Sequence, residues 1–175
     1  IVGQQRAGKS SLTAALLRSG GTLLCDDIIA LATDDPAITA QRGPARLRMW
    51  PDTLAALGAG LGPAAPVYSC LRGDEEKWVV RLEPALHASA ASVPLGTILH
   101  LVPTSDGVPR LRRLHGVEAV QALAANTYAP WHVSRRAAEF RQLSHVAREV
   151  PVHELRVPRG FDRLPSVVQL IRGMP

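Results

Sequence analysis

The sequence has few aromatic residues, few lysines and few cysteines. Aromatic residues make up 4% of the 175 residues, so leucine, valine, isoleucine and alanine must build most of any hydrophobic core. Lys9 and Lys77 are the only lysines, and Cys25 and Cys70 are the only cysteines. Two cysteines so far apart lack metal-ligand spacing, and in a cytosolic protein we expect both thiols to stay reduced.

Long apolar runs are also absent, so the sequence predicts no membrane-spanning helix. An apolar content of 46% excludes a chain that is disordered by composition. The length is that of one domain with a sizeable core, and we expect residues 1–175 to form a single domain. The formal net charge of +5 gives modest support for a polyanionic partner such as a nucleotide. We expect a cytoplasmic protein that binds neither nucleic acid nor membrane.

The most informative stretch lies at the start of the sequence. Gly3, Gly8, Lys9 and Ser10 match G-x-x-x-x-G-K-[ST], the pattern of a phosphate-binding P-loop. The glycines let the backbone turn tightly and approach an anion, and a helix that begins near Lys9 directs its positive end at the same place. The pattern predicts that ATP and Mg²⁺ bind here, with Lys9 on the β- and γ-phosphates and Ser10 on the metal. The residues predicted to contact the nucleotide are Gly3, Gln4, Gln5, Arg6, Ala7, Gly8, Lys9, Ser10 and Ser11.

Hydrophobic periodicity predicts a mixture of helices and strands. The predicted helices are Ser10–Arg18, Thr53–Leu57 with Asp52 as its N-cap, Val117–Asn126, Ser134–Val146 and Pro165–Arg172. The predicted strands are Thr22–Cys25, Arg46–Trp50, Lys77–Leu82, Leu95–Val102, Pro109–His115 and Val152–Val157. Residues 58–66 are predicted to form a flexible loop, which the charged stretch up to Lys77 extends, and Asp106-Gly107 predicts a hairpin between its two flanking strands. Because P-loop strands are normally buried within a sheet, we expect further strands upstream of Ile1.

A second informative stretch follows the first predicted helix. Leu23-Leu24-Cys25 is apolar, and two acidic residues, Asp26 and Asp27, come directly after it. Carboxylates at the end of a buried strand are what an Mg²⁺–phosphate site needs. The alternative is that the two acids begin a polar turn, with Cys25 as a core residue.

These motifs resemble the C-terminal catalytic domain of HPr kinase/phosphorylase and its smaller kinase relatives. The resemblance rests on the P-loop with Ser11-Leu12 after it, on residues 20–27, and on residues 47–52. It implies an α/β P-loop nucleotide-binding domain of the HPr kinase/phosphoenolpyruvate carboxykinase-like type, with a mixed sheet and flanking helices. It also implies that Asp26 is the general base toward a substrate hydroxyl and that Asp27 lies near the metal.

The same resemblance implies the acceptor. Several small relatives phosphorylate precursor peptides in ribosomal peptide tailoring, including lasso precursors, so a serine of a peptide or small protein is the expected acceptor. Four basic residues are predicted to contact such a substrate, since cationic strands beside a flexible loop suit an extended chain. They are Arg46, Arg48, Lys77 and Arg81. The alternative is that these residues mark the solvent face of their strands.

Two other functions stay open at this point. The P-loop is equally compatible with a regulatory module that binds ATP without transferring phosphate, and with a kinase of small molecules. The acidic pair Asp26-Asp27 favours an enzyme over the regulatory module. HPr kinases form hexamers, but the small relatives need not, so the resemblance leaves the oligomeric state open.

Overall fold

A computed structural model describes residues 1–33, 37–67, 77–128 and 136–174. Within these ranges the protein is mixed α/β, with five α-helices and three small sheets. The helices are α1 Lys9–Arg18, α2 Pro51–Leu57, α3 Gly116–Ala124, α4 Arg136–Glu149 and α5 Leu164–Arg172. The strands are β1 Leu31–Ala32, β2 Thr39–Gln41, β3 Arg46–Met49, β4 Ala64–Pro66, β5 Trp78–Arg81, β6 Ser92–Pro94, β7 Ile98–Thr104, β8 Arg110–Leu114 and β9 Val152–Pro158. In the described ranges, every helix is too short or too polar to cross a bilayer.

The chain forms two compact units, each assembled from stretches that are separated in sequence. The first unit comprises Ile1–Lys9, Leu31–Ala40 and Val93–Arg159. The second unit comprises Ser10–Ala30, Gln41–Ser92 and Gly160–Pro175.

The sheet β7-β9-β8 is the centre of the first unit. Its middle strand, β9, pairs in parallel with β7 and antiparallel with β8. Val2 adds to the free edge of β7, because its N–H donates to Leu99 O and its carbonyl accepts from Leu101 N, both at 2.8 Å. Helices α3 and α4 pack together, and apolar residues from both helices and the strands form one core. Its buried members are Ile38, Ile98, Leu114, Ala119, Ala122, Leu123, Val146, Val150 and Val152.

The second unit is built on the antiparallel sheet β3-β5-β4. Side chains alternate between the faces of a strand, and β3 follows that period. Leu47 and Met49 are fully buried, whereas Arg46 and Arg48 lie on the opposite face. The buried face of β3 and β5 joins apolar side chains of α1 and of the loops in a second core. Its buried members are Ala14, Leu17, Leu23, Leu47, Met49, Leu61, Val80 and Leu82.

The predicted hairpin between the strands around Asp106-Gly107 is wrong. β7 and β8 do follow one another in sequence, but β9 lies between them and takes the hydrogen bonds of both. A local turn signal fixes where the chain reverses, whereas the identity of the neighbouring strand depends on a segment far away in sequence.

Three smaller predictions are also corrected. Thr22–Cys25 is not a strand: it contributes a single parallel bridge from Leu23 to His87. The segment predicted as a loop contains strand β4. Helix α2 begins at Pro51 with Trp50 as N-cap, because proline at the first position already has a helical φ, and Asp52 accepts a hydrogen bond from Thr53 N at 2.6 Å within the first turn.

The helix predicted over Ser10–Arg18 is confirmed by α1, and those over residues 117–126 and 165–172 are confirmed to within two residues at each end. Residues 134 and 135 of the fourth predicted helix lie outside the described ranges, and α4 covers the remainder. Residues 68–76 of the predicted loop segment also lie outside them.

Candidate functional site

The segment that matches the P-loop pattern joins a sheet to a helix in the structure. Val2 pairs with β7, and α1 begins at Lys9. Gly3 has a φ of 156° and Gly8 a φ of 92°, a region that other residues rarely adopt. A Cβ on Gly3 would lie 2.9 Å from the carbonyl oxygen of Leu101, so glycine is needed there for space as well as for conformation.

Lys9 holds its ammonium group against the loop that precedes it. Its Nζ donates to the carbonyl oxygens of Gly3 and Gln4, both at 2.7 Å. The first turn of α1 contains no acidic residue, so the positive end of the helix is not neutralised by its own sequence. A cation and an uncompensated helix N-terminus therefore lie at the end of the same loop.

The other predicted nucleotide-binding residues have varied environments. Gln4, Gln5 and Arg6 are exposed and Ala7 is buried. Ser10 and Ser11 are half-buried in the first turns of α1. In the second unit, Ser11 Oγ lies 3.3 Å from Oγ1 of Thr53, the buried threonine of α2.

The predicted acidic pair lines a pocket in the second unit. The cavity has a volume of about 250 Å³. Its walls combine two carboxylates, two guanidinium groups, a thiol and two apolar side chains. The lining residues are Cys25, Asp26, Asp27, Ile28, Pro44, Arg46 and Arg48.

Asp26 is partly buried and oriented by the neighbouring strand. Its Oδ2 accepts a hydrogen bond from the backbone N–H of Arg48 at 2.8 Å. Burial raises the pKa of this carboxyl above its ordinary value, although the Arg48 hydrogen bond acts in the opposite direction. A carboxylate with a raised pKa and a fixed orientation can accept a proton from a hydroxyl group.

Asp27 forms an ion pair with the strand residue Arg48. Its Oδ2 lies 2.8 Å from Arg48 NH1, and its backbone has a φ of 64°, which is uncommon for a residue other than glycine. The Nε of Arg48 is buried and has no hydrogen-bond partner. In this arrangement the carboxylate predicted to bind the metal is held by a guanidinium group.

The four predicted substrate residues fall into two places in the second unit. Arg46 and Arg48 line the pocket together with the two acids. Arg81 on β5 lies directly opposite Arg46 in the antiparallel register, so their side chains share one face of the sheet. Lys77 instead places its Nζ 5.1 Å from the centre of the Trp50 ring, a cation–π contact.

Cys25 is the one titratable pocket residue that the sequence interpretation did not place in the site; Ile28 and Pro44 were also not predicted there. It was expected in the core, but it is only half-buried and lines the cavity. Its thiol donates to the carbonyl oxygen of Ile28 at 3.0 Å, and burial, followed by the Asp26 carboxylate, raises its pKa. Its position directly before the acidic pair is the signal in the sequence that could have indicated this location.

Within the described ranges, no group of three or more histidine, cysteine, aspartate or glutamate side chains is arranged to hold a metal ion. No protein-family model, curated protein or solved structure matches the chain.

Proposed function

We propose that the protein is an ATP-dependent P-loop kinase of the HPr kinase-like type, which transfers the γ-phosphate to a serine hydroxyl of a peptide or small protein. The observation that carries the proposal is the loop from Gly3 to Gly8. It runs from Val2, which forms an isolated bridge to β7, into α1, has both motif glycines at positive φ and holds the ammonium of Lys9 at its carbonyls. This is the combination of backbone, helix terminus and cation that phosphate groups require.

The chemistry of the predicted residues suits a nucleotide with its magnesium ion. Lys9 would contact the β- and γ-phosphates, and Ser10 and Asp27 would hold the metal. When bound, Mg²⁺ would neutralise negative charge on the phosphate groups. Asp27 is engaged with Arg48, so the proposal requires Arg48 to release that carboxylate when the metal binds.

Asp26 is the proposed general base. Its carboxylate faces the pocket, is oriented by the backbone of Arg48 and has a pKa raised by burial. A raised pKa makes a carboxylate a better proton acceptor. Asp26 would accept the serine hydroxyl proton, and the resulting nucleophile would attack the γ-phosphorus as the bond to ADP breaks.

A regulatory module that binds ATP without transferring phosphate is the second candidate. The observation that favours it is the Arg48–Asp27 ion pair, because a carboxylate held by arginine is less free to bind Mg²⁺. The two candidates make the same prediction for ATP binding and opposite predictions for turnover.

Labelled ATP, Mg²⁺ and a panel of serine-containing peptides, lasso precursors among them, test the proposal directly. We expect the mass of an accepted peptide to increase by one phosphate group, and a serine-to-alanine peptide to remain unmodified. ATP binding without transfer to any acceptor would support the regulatory module. Transfer only to free sugars, amino acids or alcohols would instead identify a small-molecule kinase.

A further inference from the structure

Two carboxylates and two guanidinium groups line the pocket beside Asp26, and Arg81 adds a third guanidinium group on the same face of the sheet. Asp27 pairs with Arg48. Arg46 and Arg81 take part in no ion pair within the part of the chain that the structure describes. The remaining carboxylate, Asp26, accepts its hydrogen bond from the backbone of Arg48. An anion entering this place would therefore meet free positive charge.

The positions of Arg46 and Arg81 are unfavourable for the protein alone. They lie directly opposite one another on neighbouring strands, and both are exposed. Like charges at directly opposed positions of a sheet are destabilising. An anion between the two guanidinium groups would replace this repulsion with two charge-assisted contacts.

Arg48 lies two residues along the same strand, and its guanidinium group is paired with Asp27. Its Nε is buried, so we do not expect this atom to contact a bound peptide. Arg46 and Arg48 are about 7 Å apart along the strand, which is also the distance between alternate side chains of an extended peptide.

The size of the cavity indicates what kind of anion fits. Its volume of about 250 Å³ is below the range of roughly 300–1,000 Å³ that is usual for small-molecule sites. A single side chain fits such a space better than a nucleotide does. Ile28 and Pro44 line part of the wall, where the methylene groups of a glutamate could pack.

We propose that Arg46 and Arg81 form a subsite for an acidic side chain of an extended peptide, close in sequence to the serine that is phosphorylated. The inference rests on the proposed peptide kinase function, since it names the substrate class of the same pocket. The carboxylate of the peptide lies between Arg46 and Arg81, and the hydroxyl of the nearby serine reaches Asp26. The subsite thus selects acidic peptides and places the serine.

Peptide binding in the absence of ATP tests this proposal. The probes are a short capped peptide with a serine and a glutamate at alternate positions, and the same peptide with glutamine in place of glutamate. We expect the wild-type protein to bind the glutamate peptide on the order of tenfold more tightly. In the double variant Arg46→Gln/Arg81→Gln the two affinities should become nearly equal.

Arg110→Gln is the matched control, because Arg110 is also an exposed strand arginine but lies on β8 in the first unit. It should keep the preference for glutamate. Equal binding of both peptides to the wild type, or an equal loss in the control, would overturn the proposal. So would binding of inorganic phosphate through Arg46 and Arg81 without binding of the glutamate peptide, which would identify a free-phosphate site.

Two further measurements separate this proposal from the kinase assignment. Thermal unfolding of the double variant should occur at the same or a higher temperature, because the like-charge pair is removed; a lower midpoint would show that these arginines are structural. ATP titration of the same proteins tests the P-loop by itself. A preference for the glutamate peptide without ATP binding would refute the kinase assignment but support the subsite. ATP binding without that preference would refute the subsite but support the nucleotide site.

Discussion

At the residue scale, Lys9 and Asp26 have different relations to the fold. Lys9 donates to two carbonyl groups of its own loop, so its positive charge is held against that loop. Asp26 is oriented by the backbone of a strand and is partly buried, so its charge costs desolvation energy. We therefore expect that the Lys9 side chain can be removed with little effect on the core. The negative charge of Asp26, in contrast, is disfavoured by its partial burial.

Replacing Lys9 with alanine should abolish most ATP binding without unfolding the protein. The ammonium donates to two loop carbonyls, and neither hydrogen bond is fully buried, so the loss of stability should stay within about 1 kcal/mol. Calorimetric titration with ATP measures the affinity, and thermal unfolding checks the fold. The control is Arg18→Ala, which removes an exposed cation from the other end of α1. Unchanged ATP binding in a folded Lys9→Ala protein would remove the basis for the P-loop assignment.

Replacing Asp26 with asparagine should separate ATP binding from phosphate transfer. Asparagine keeps the oxygen that accepts from Arg48 N, but it cannot accept a proton from the substrate. We expect unchanged ATP affinity and turnover lowered roughly 10²-fold or more, within the range for general-base removal. Full turnover with an identified acceptor would show that another residue is the base.

The companion variant Asp27→Asn should also bind ATP but should require a higher Mg²⁺ concentration for turnover. Measuring the rate at increasing Mg²⁺ concentrations tests this.

The raised pKa of Asp26 also predicts how stability depends on pH. A carboxyl whose pKa is higher in the folded state binds more protons folded than unfolded, so its contribution to stability is greatest below the ordinary value of about 3.9. That contribution is lost as the pH rises through the folded pKa. The free energy of unfolding of the wild type, relative to Asp26→Asn, should therefore fall with increasing pH over this interval. Urea denaturation at several pH values measures it, and a difference that rises with pH would contradict the assignment.

At the element scale, residues that act locally could be predicted from the sequence and residues that depend on distant partners could not. The spacing of the glycines and Lys9 before an apolar run was sufficient to place α1. The alternation of Arg46 to Met49 was sufficient to identify β3. The partner of β7 was not predictable, because β9 lies about 50 residues further along and both hydrogen-bonding edges of β9 are used.

The same distinction holds in the candidate site. Asp26 and Asp27 could be recognised in the sequence as two consecutive acidic residues. Arg46 and Arg48 were predicted to lie on a basic strand, but their position beside the acidic pair was not predicted. The ion pair between Asp27 and Arg48 depends on a positive φ at Asp27 and on the register of β3, neither of which a pattern of residue types contains. The cation–π contact of Lys77 with Trp50 likewise joins two segments whose proximity only the fold decides.

The two motif glycines should respond differently to alanine. Gly8 has a positive φ but its nearest neighbour to an added Cβ is 4.0 Å away, whereas a Cβ on Gly3 would lie 2.9 Å from a backbone oxygen of β7. Gly8→Ala should cost about 1–2 kcal/mol from backbone conformation alone. Gly3→Ala should cost more, because the sheet must also shift. Urea denaturation of both variants measures the order, and an equal or smaller cost at Gly3 would show that the strand–loop junction adapts easily.

At the scale of the whole molecule, the described residues include two hydrophobic cores, each built from segments separated in sequence. The expectation of a single domain over residues 1–175 remains a prediction. Each core contains fully buried aliphatic side chains, and few aromatic residues are available to stabilise either one. Stability therefore depends on many weak contacts between closely packed aliphatic side chains. A single cavity should lower the free energy of unfolding strongly, and its effect on the structure should be local.

Leu47 and Leu155 provide this test, since both are fully buried, the first on β3 and the second on β9. Leu47→Ala and Leu155→Ala should each cost about 2–5 kcal/mol through lost apolar contacts and the remaining cavity. Val117→Ala, at a position that is 71% exposed, is the control, and its effect on stability should stay within about 0.5 kcal/mol.

Hydrogen exchange of the Leu47→Ala and Leu155→Ala variants then shows which backbone amides lose protection. Because subglobal opening follows the loss of local contacts, we expect the largest decrease at amides of the unit that contains the cavity. An equal decrease in both units for either variant would show instead that the two cores open together as one cooperative structure.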